Sequence, residues 1–204
     1  GFDNTIFIRD SINEVKLTIF QAFILVVLII FLFLRNWRTT LIPIIAIPIS
    51  LVGSFFVMYL AGFSINILTL LALVLAIGLV VDDAIVVMEN IYTKIEKGVN
   101  PKDAAIEGSK EIFFAVIATT ITLVAVFFPI VFLQGVTGRL FREFSIVIAG
   151  AVMISSFVAL TFTPMISSKL LKQGASEGRF YKFSEPFFNW LNGIYARSLA
   201  AFMR

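Results

Sequence analysis

From Thr39 to Val81 the chain carries no Asp, Glu, Lys or Arg, and it then sets two carboxylates, Asp82 and Asp83, side by side inside an apolar run that continues to Met88. About 20 apolar residues cross a hydrocarbon core about 30 Å thick, so an uncharged stretch of this length holds two crossings. Ala61-Gly62-Phe63-Ser64 is the tight turn between them, which makes the two spans antiparallel neighbours. Hydrocarbon offers no partner to a backbone N–H or C=O, so such runs fold as helices.

The same pattern recurs along the chain and predicts an all-α membrane protein, a five-helix transmembrane bundle with spans at about 12–34, 40–60, 65–91, 112–133 and 144–168. Phe2 to Arg9 reads as a short extended arrival, and Ser11-Ile12-Asn13-Glu14 has the spacing of a capping box that opens the first helix. Pro43 and Pro48 remove backbone donors from the second span and call for support from neighbouring helices. After the third span, Asn100-Pro101-Lys102-Asp103 is an N-cap with Pro at the first helical position, predicting a short surface helix from Pro101 to Ser109. The fourth span carries Thr119, Thr120 and Thr122 and a late Pro129; Gly135-Val136-Thr137-Gly138-Arg139 reads as the next loop. Small residues crowd the fifth span (Ala149, Gly150, Ala151, Ser155, Ser156, Ala159) and let helices approach closely. The bundle thus occupies 11–172; 173–204 read as a linker around Gly174 to Gly178, then an interfacial amphipathic helix with Phe187, Phe188, Leu191, Ile194, Tyr195 and Leu199 on its apolar side.

Bulk properties agree and narrow the chemistry. Mean hydropathy is +1.00, and only 14% of residues are charged against roughly 25% in a soluble domain. The chain has no Cys and no His, which removes disulfides, thiolate or imidazole metal sites and the Ser-His-Asp and Cys-His nucleophile systems. The net charge of +3 is not read as nucleic-acid binding, because Lys and Arg in a membrane chain set orientation. Of the sixteen, Arg9, Lys16, Arg139 and Arg142 fall on one side and the remaining twelve on the other. That places the N-terminus and the 134–143 loop outside and the C-terminus in the cytoplasm. The opening residues lack a signal-peptide order, and the chain reads as a piece of something longer.

The acidic pair is the candidate site. A carboxylate at the centre of a membrane helix is unfavourable by roughly 2.5 to 3.5 kcal/mol, so two together point to function. Neighbours on a helix diverge by about 100°, which aims Asp82 and Asp83 into adjoining sectors of one face. Gly78, one turn earlier, leaves room for another helix to approach. Thr119 and Thr120 are candidate relay hydroxyls, although such groups mostly bond back to the preceding turn. Glu89 and Asn90 read as an ordinary helix exit. The bland alternative for the pair is solvation near a water-filled groove or at the inner interface. An acidic pair whose cationic neighbour comes and goes can bind and release protons, yet no Lys or Arg lies within the five apolar runs, so the counter-charge must come from other helices.

These residues carry a resemblance. Gly62-Phe63-Ser64-Ile65-Asn66 with the run Ala76-Ile77-Gly78-Leu79-Val80-Val81-Asp82-Asp83-Ala84 through Asn90 resembles the fourth transmembrane helix of resistance-nodulation-division (RND) efflux pumps of the AcrB-like hydrophobe/amphiphile branch. Phe33-Leu34-Arg35-Asn36-Trp37-Arg38, Leu41-Ile42-Pro43, Phe141-Arg142-Glu143-Phe144-Ser145 and Leu160-Thr161-Phe162-Thr163-Pro164 are similar to that family's second, third and sixth helices. The resemblance implies half of a pseudo-symmetric transmembrane domain in an inner-membrane permease. It also implies a proton/drug antiporter for hydrophobic or amphiphilic compounds, with no cofactor beyond the proton gradient. The implied partners are a second half carrying the counter-charge Lys or Arg, two further copies in a homotrimer, a periplasmic adaptor, an outer-membrane channel and membrane lipid. Residues 1–10 then correspond to the end of a periplasmic porter segment. Metal-exporting relatives typically have Asp-Ala at the pair, so Asp82-Asp83 argues for organic substrates. Two rivals stand beside this reading: an isolated structural half-bundle with no transport of its own, and an intramembrane aspartyl protease. The latter needs carboxylates that converge on a peptide from opposite sides.

Overall fold

The computed structural model describes residues 4–171 and, towards the C-terminus, 186, 190, 193–200, 202 and 203. Its elements in order are α1 (Asn4–Leu34), α2 (Trp37–Leu60), α3 (Ile67–Glu96), α4 (Pro101–Phe127), a 3-10 turn (Phe128–Phe132) and α5 (Gly135–Leu170). All five α-helices are long and apolar enough to cross a membrane, which makes the chain an all-α membrane bundle.

Burial orders the helices. Only 6% of the apolar window of α1 is buried, against 56% for α3 and for α5, so α3 and α5 form the centre and α1 lies along the outside. One core cluster joins Ile42 and Ala46 of α2 to Val87, Met88 and Ile91 of α3 and Ala159 of α5. Another joins Met58, Leu73, Val147 and Ile148 nearer the other end. Small residues set the spacing, as the fifth span predicts: a side chain at Gly150 would begin 2.7 Å from Val57 Cγ1, and one at Gly53 2.7 Å from Ile154 Cγ2. Where helices meet this closely, dispersion between well-fitted surfaces replaces the hydrophobic effect that lipid cannot supply.

The turns follow from local chemistry. Gly62 takes φ 68°, its N–H donates to Tyr59 O at 3.2 Å and the Phe63 N–H to Met58 O at 3.0 Å, a Schellman pair that stops α2. Gly98, at φ 92°, repeats the device after α3, with its own N–H on Ile95 O and the Val99 N–H on Lys94 O. Asn66 and Thr69 cap α3 reciprocally at 2.9 Å each way. Asn100 Oδ1 accepts from the Lys102 N–H at 3.1 Å, which is the predicted start of α4.

Three expectations are corrected. Helix α1 begins at Asn4 instead of following an extended stretch, because nothing between 4 and 34 is Gly or Pro and the Ser11 to Glu14 pattern is absorbed into the helix. The surface helix expected over Pro101 to Ser109 is the first part of a continuous α4: Ser109 returns its hydroxyl to Ala105 O at 2.7 Å and no breaker intervenes before Pro129. Residues 135–143, read as loop from their glycines, are the first turns of α5, where Gly138 fits against the end of the preceding 3-10 turn. With 36 residues α5 is about 54 Å long, so it extends past a core of about 30 Å or tilts within it. The expected linker around Gly174 to Gly178 lies outside the described residues. So do Phe187, Phe188 and Leu191 of the expected interfacial helix, whose residues 193–200 are helical.

Gly108 sets how closely α4 lies on α3, since a side chain there would meet Ile91 Cγ1 at 2.9 Å and the Ile91 backbone at 3.1 Å. Gly108→Leu is expected to lower stability by about 1 to 3 kcal/mol, the usual cost of overpacking. Unfolding in detergent by sodium dodecyl sulfate titration checks this, and an unchanged midpoint would contradict it.

Candidate functional site

One face of α3 is uncovered. Leu71, Leu75, Gly78, Asp82, Val86 and Glu89 are exposed at steps of three or four residues, a single stripe down a helix otherwise packed on its neighbours. Asp82 lies on that stripe. Asp83, one position and about 100° further round, is turned inward and only 8% exposed. The two acids therefore have different surroundings, although they are consecutive.

Both line a groove of about 700 Å³ between α3 and α4, closed on the α4 side by Ala115, Ala118, Thr119 and Thr122. The short side chains of Ala115 and Ala118 keep it open beside the carboxylates. No Lys or Arg lines it among the described residues. The acidic pair sits in a mostly apolar surround, the environment in which a charge is costly unless something uses or compensates it.

Ser155 of α5 is the residue that sequence reading misses. In the sequence it is one of several small packing residues; in the fold it is 2% exposed, and its hydroxyl donates to Val80 O of α3 at 2.8 Å. The same hydroxyl lies close enough to the Asp83 carboxyl to interact with it. A hydroxyl has one hydrogen and two lone pairs. With Asp83 ionised, that hydrogen has two competing acceptors. With Asp83 protonated, the acid can donate to Ser155 while Ser155 donates to Val80, so the serine can serve either state of the acid. The only sequence signal for it is a small polar residue on the packed face of a helix, which Ser145 and Ser156 share.

The threonines separate. Thr119 lines the acid groove, yet its hydroxyl donates to Val116 O at 2.8 Å. Thr120 also donates to Val116 O, at 2.7 Å, and borders a different groove on the α5 side. Gly78 has open space above it: a methyl group added there would meet no atom of another helix within 4 Å. Among the described residues, Gly53, Gly108 and Gly150 are where one α-helix comes closest to another.

Polar ties hold the groove's walls at its basic end. Asn90 Nδ2 donates to Gly108 O at 2.8 Å and to Glu111 Oε2 at 3.2 Å, and Lys94 Nζ is 3.0 Å from Glu111 Oε2. Asn90 is thus an inter-helix tie, and not the simple exit its position implies. At the far end of α3, Asn66 Nδ2 donates to Glu143 Oε2 of α5 at 2.7 Å.

A bundle of five membrane-length helices with an acid pair at the edge of its central helix is a multi-pass membrane protein. The sequence model of the AcrB/AcrD/AcrF family matches residues 1–204, and the chain belongs to that family. Its members are RND-type efflux transporters, a family of transporters and not of enzymes.

Ser155→Ala is expected to cost about 0.6 kcal/mol, the mean for an interhelical hydrogen bond, and no more than about 1.7. It should also move the carboxyl stretch of protonated Asp83 to higher frequency in infrared difference spectra, with Asp83→Asn assigning the band. A band that does not move would show that the serine does not bond the acid.

Proposed function

We propose that Asp82 and Asp83 are the proton-carrying site of a proton/drug antiporter that drives efflux of hydrophobic or amphiphilic compounds. The observation that carries this reading is the split surroundings of one acidic pair: Asp82 on the open stripe of α3, Asp83 turned in and nearly buried beside Ser155. An open stripe through the acid and Gly78 is the surface a second helical half would cover. Membership of an efflux family supports the transport part.

In this mechanism the second half supplies a Lys or Arg that pairs with the ionised acids. A proton arriving from the outer side neutralises the pair, the cation loses its partner, and the two bundles shift. Release to the cytoplasm restores the pairing. One charge crossing the membrane contributes about 2.3 kcal/mol per 100 mV, and each unit of pH difference about 1.4 kcal/mol. Those sums match conformational changes of a few kcal/mol. Two helical halves rocking about a midplane site are common transporter logic. The same reading places the protein in the bacterial inner membrane, N-terminus outward, as a homotrimer joined to a periplasmic adaptor and an outer-membrane channel. Thr119, which borders the acid groove, is the better placed of the two candidate relay hydroxyls.

Asp82→Asn and Asp83→Asn, each in the full-length transporter, are expected to abolish proton-dependent drug export from proteoliposomes while leaving expression and assembly intact. Unchanged export in both variants would remove the proton role from the pair.

A further inference from the structure

A second groove, of about 760 Å³, lies between α4 and α5 on a face of α4 that shares no residue with the acid groove. Lys110, Phe113, Ile117 and Thr120 line it from α4, at steps of three or four residues, and Ser156 and Phe157 from α5. From Lys110 to Thr120 is about 15 Å at 1.5 Å per residue. That is half a hydrocarbon core of about 30 Å, so the groove is one leaflet deep with a cation at its mouth.

Two polar groups there want a partner. Lys110 is exposed and makes no ion pair among the described residues, where Glu111 is taken by Lys94. Ser156 is only 3% exposed, lines the groove, and its Oγ has no hydrogen-bond partner among the described residues. An unpaired hydroxyl in an apolar setting is unfavourable, and the acceptor it lacks can come from an ester carbonyl. Lys110 lies at the end of the bundle that carries most of the basic residues, the end facing the anionic leaflet in the orientation given above.

We propose that this groove binds an anionic phospholipid of the cytoplasmic leaflet. Its phosphate pairs with Lys110, an acyl chain lies against Phe113, Ile117 and Phe157, and an ester carbonyl accepts the Ser156 hydroxyl. Length, charge and the unpaired hydroxyl select one lipid in one leaflet, where an apolar groove alone would select nothing. The site stands apart from the proton chemistry of Asp82 and Asp83.

The test reconstitutes the full-length transporter in nanodiscs with phosphatidylglycerol or phosphatidylcholine bearing the same photoreactive acyl chain, and maps crosslinks by mass spectrometry. Crosslinks are expected on Phe113, Ile117 or Phe157, with phosphatidylglycerol labelling about fivefold above phosphatidylcholine. Fivefold is the equivalent of roughly 1 kcal/mol for one Lys near an anionic surface. Lys110→Gln should bring the ratio close to one, and groove-filling Met153→Trp should reduce labelling by both lipids. Equal labelling of the native protein by the two headgroups overturns the proposal, without relying on any variant. So does an absence of lipid crosslinks from α4 and α5, the result expected if another helix of the transporter covers the groove.

Discussion

The packing of α3 against α5 is the contact on which the rest depends. It is made by side chains small enough to bring two backbones together: Ala76, Val80 and Ala84 on one helix meet Ala151, Ser155 and Ala159 on the other, all fully or nearly fully buried. In lipid this closeness is itself the source of stability, because apolar residues gain little by leaving one apolar environment for another. Closeness also lets the Ser155 hydroxyl donate to a backbone carbonyl of the facing helix and lie beside its buried carboxyl. A larger residue at 155 would separate the helices and remove the bond to Val80.

That contact orients α3, and orientation is what distinguishes the two acids. Rotating α3 by one residue would send Asp83 to the open stripe and Asp82 to the buried place of Val81. The rotation is held from both ends, by Asn66 on Glu143 and by Asn90 and Lys94 on the first turns of α4. The exposed ion pair contributes little by itself, as surface pairs do. It joins Asn90 in tying α3 to α4 at that end of the groove, where Gly108 sets the spacing. The divergent aim of two consecutive carboxylates also disfavours an aspartyl protease, whose acids must meet at one peptide bond.

The glycines show how a motif can be right while its meaning differs. Gly62 and Gly98 end helices by adopting positive φ, and such stops can be read directly because few other residues tolerate that conformation. Gly135 and Gly138 look the same in sequence, yet one begins a helix and the next lies within it. Gly108 and Gly150 are contact points between helices, while Gly78 faces open space. A missing side chain can serve a turn, a contact or an opening, and only the neighbouring helix distinguishes them.

By itself the sequence determined that the chain holds five helices long and apolar enough to cross a membrane, and that Asp82 and Asp83 are its anomalous charges. Those features depend on the solvent each segment prefers, and hydropathy is a property of composition. Only the tertiary structure decided which face of each span packs, and with it the burial of Asp83, the bond from Ser155, the parting of Thr119 from Thr120 and the continuity of α4. The physical reason is that membrane helices are apolar nearly all round. With no polar face to mark the outside, orientation comes from shape complementarity between side chains far apart in the chain, such as Gly150 against Val57 and Gly108 against Ile91.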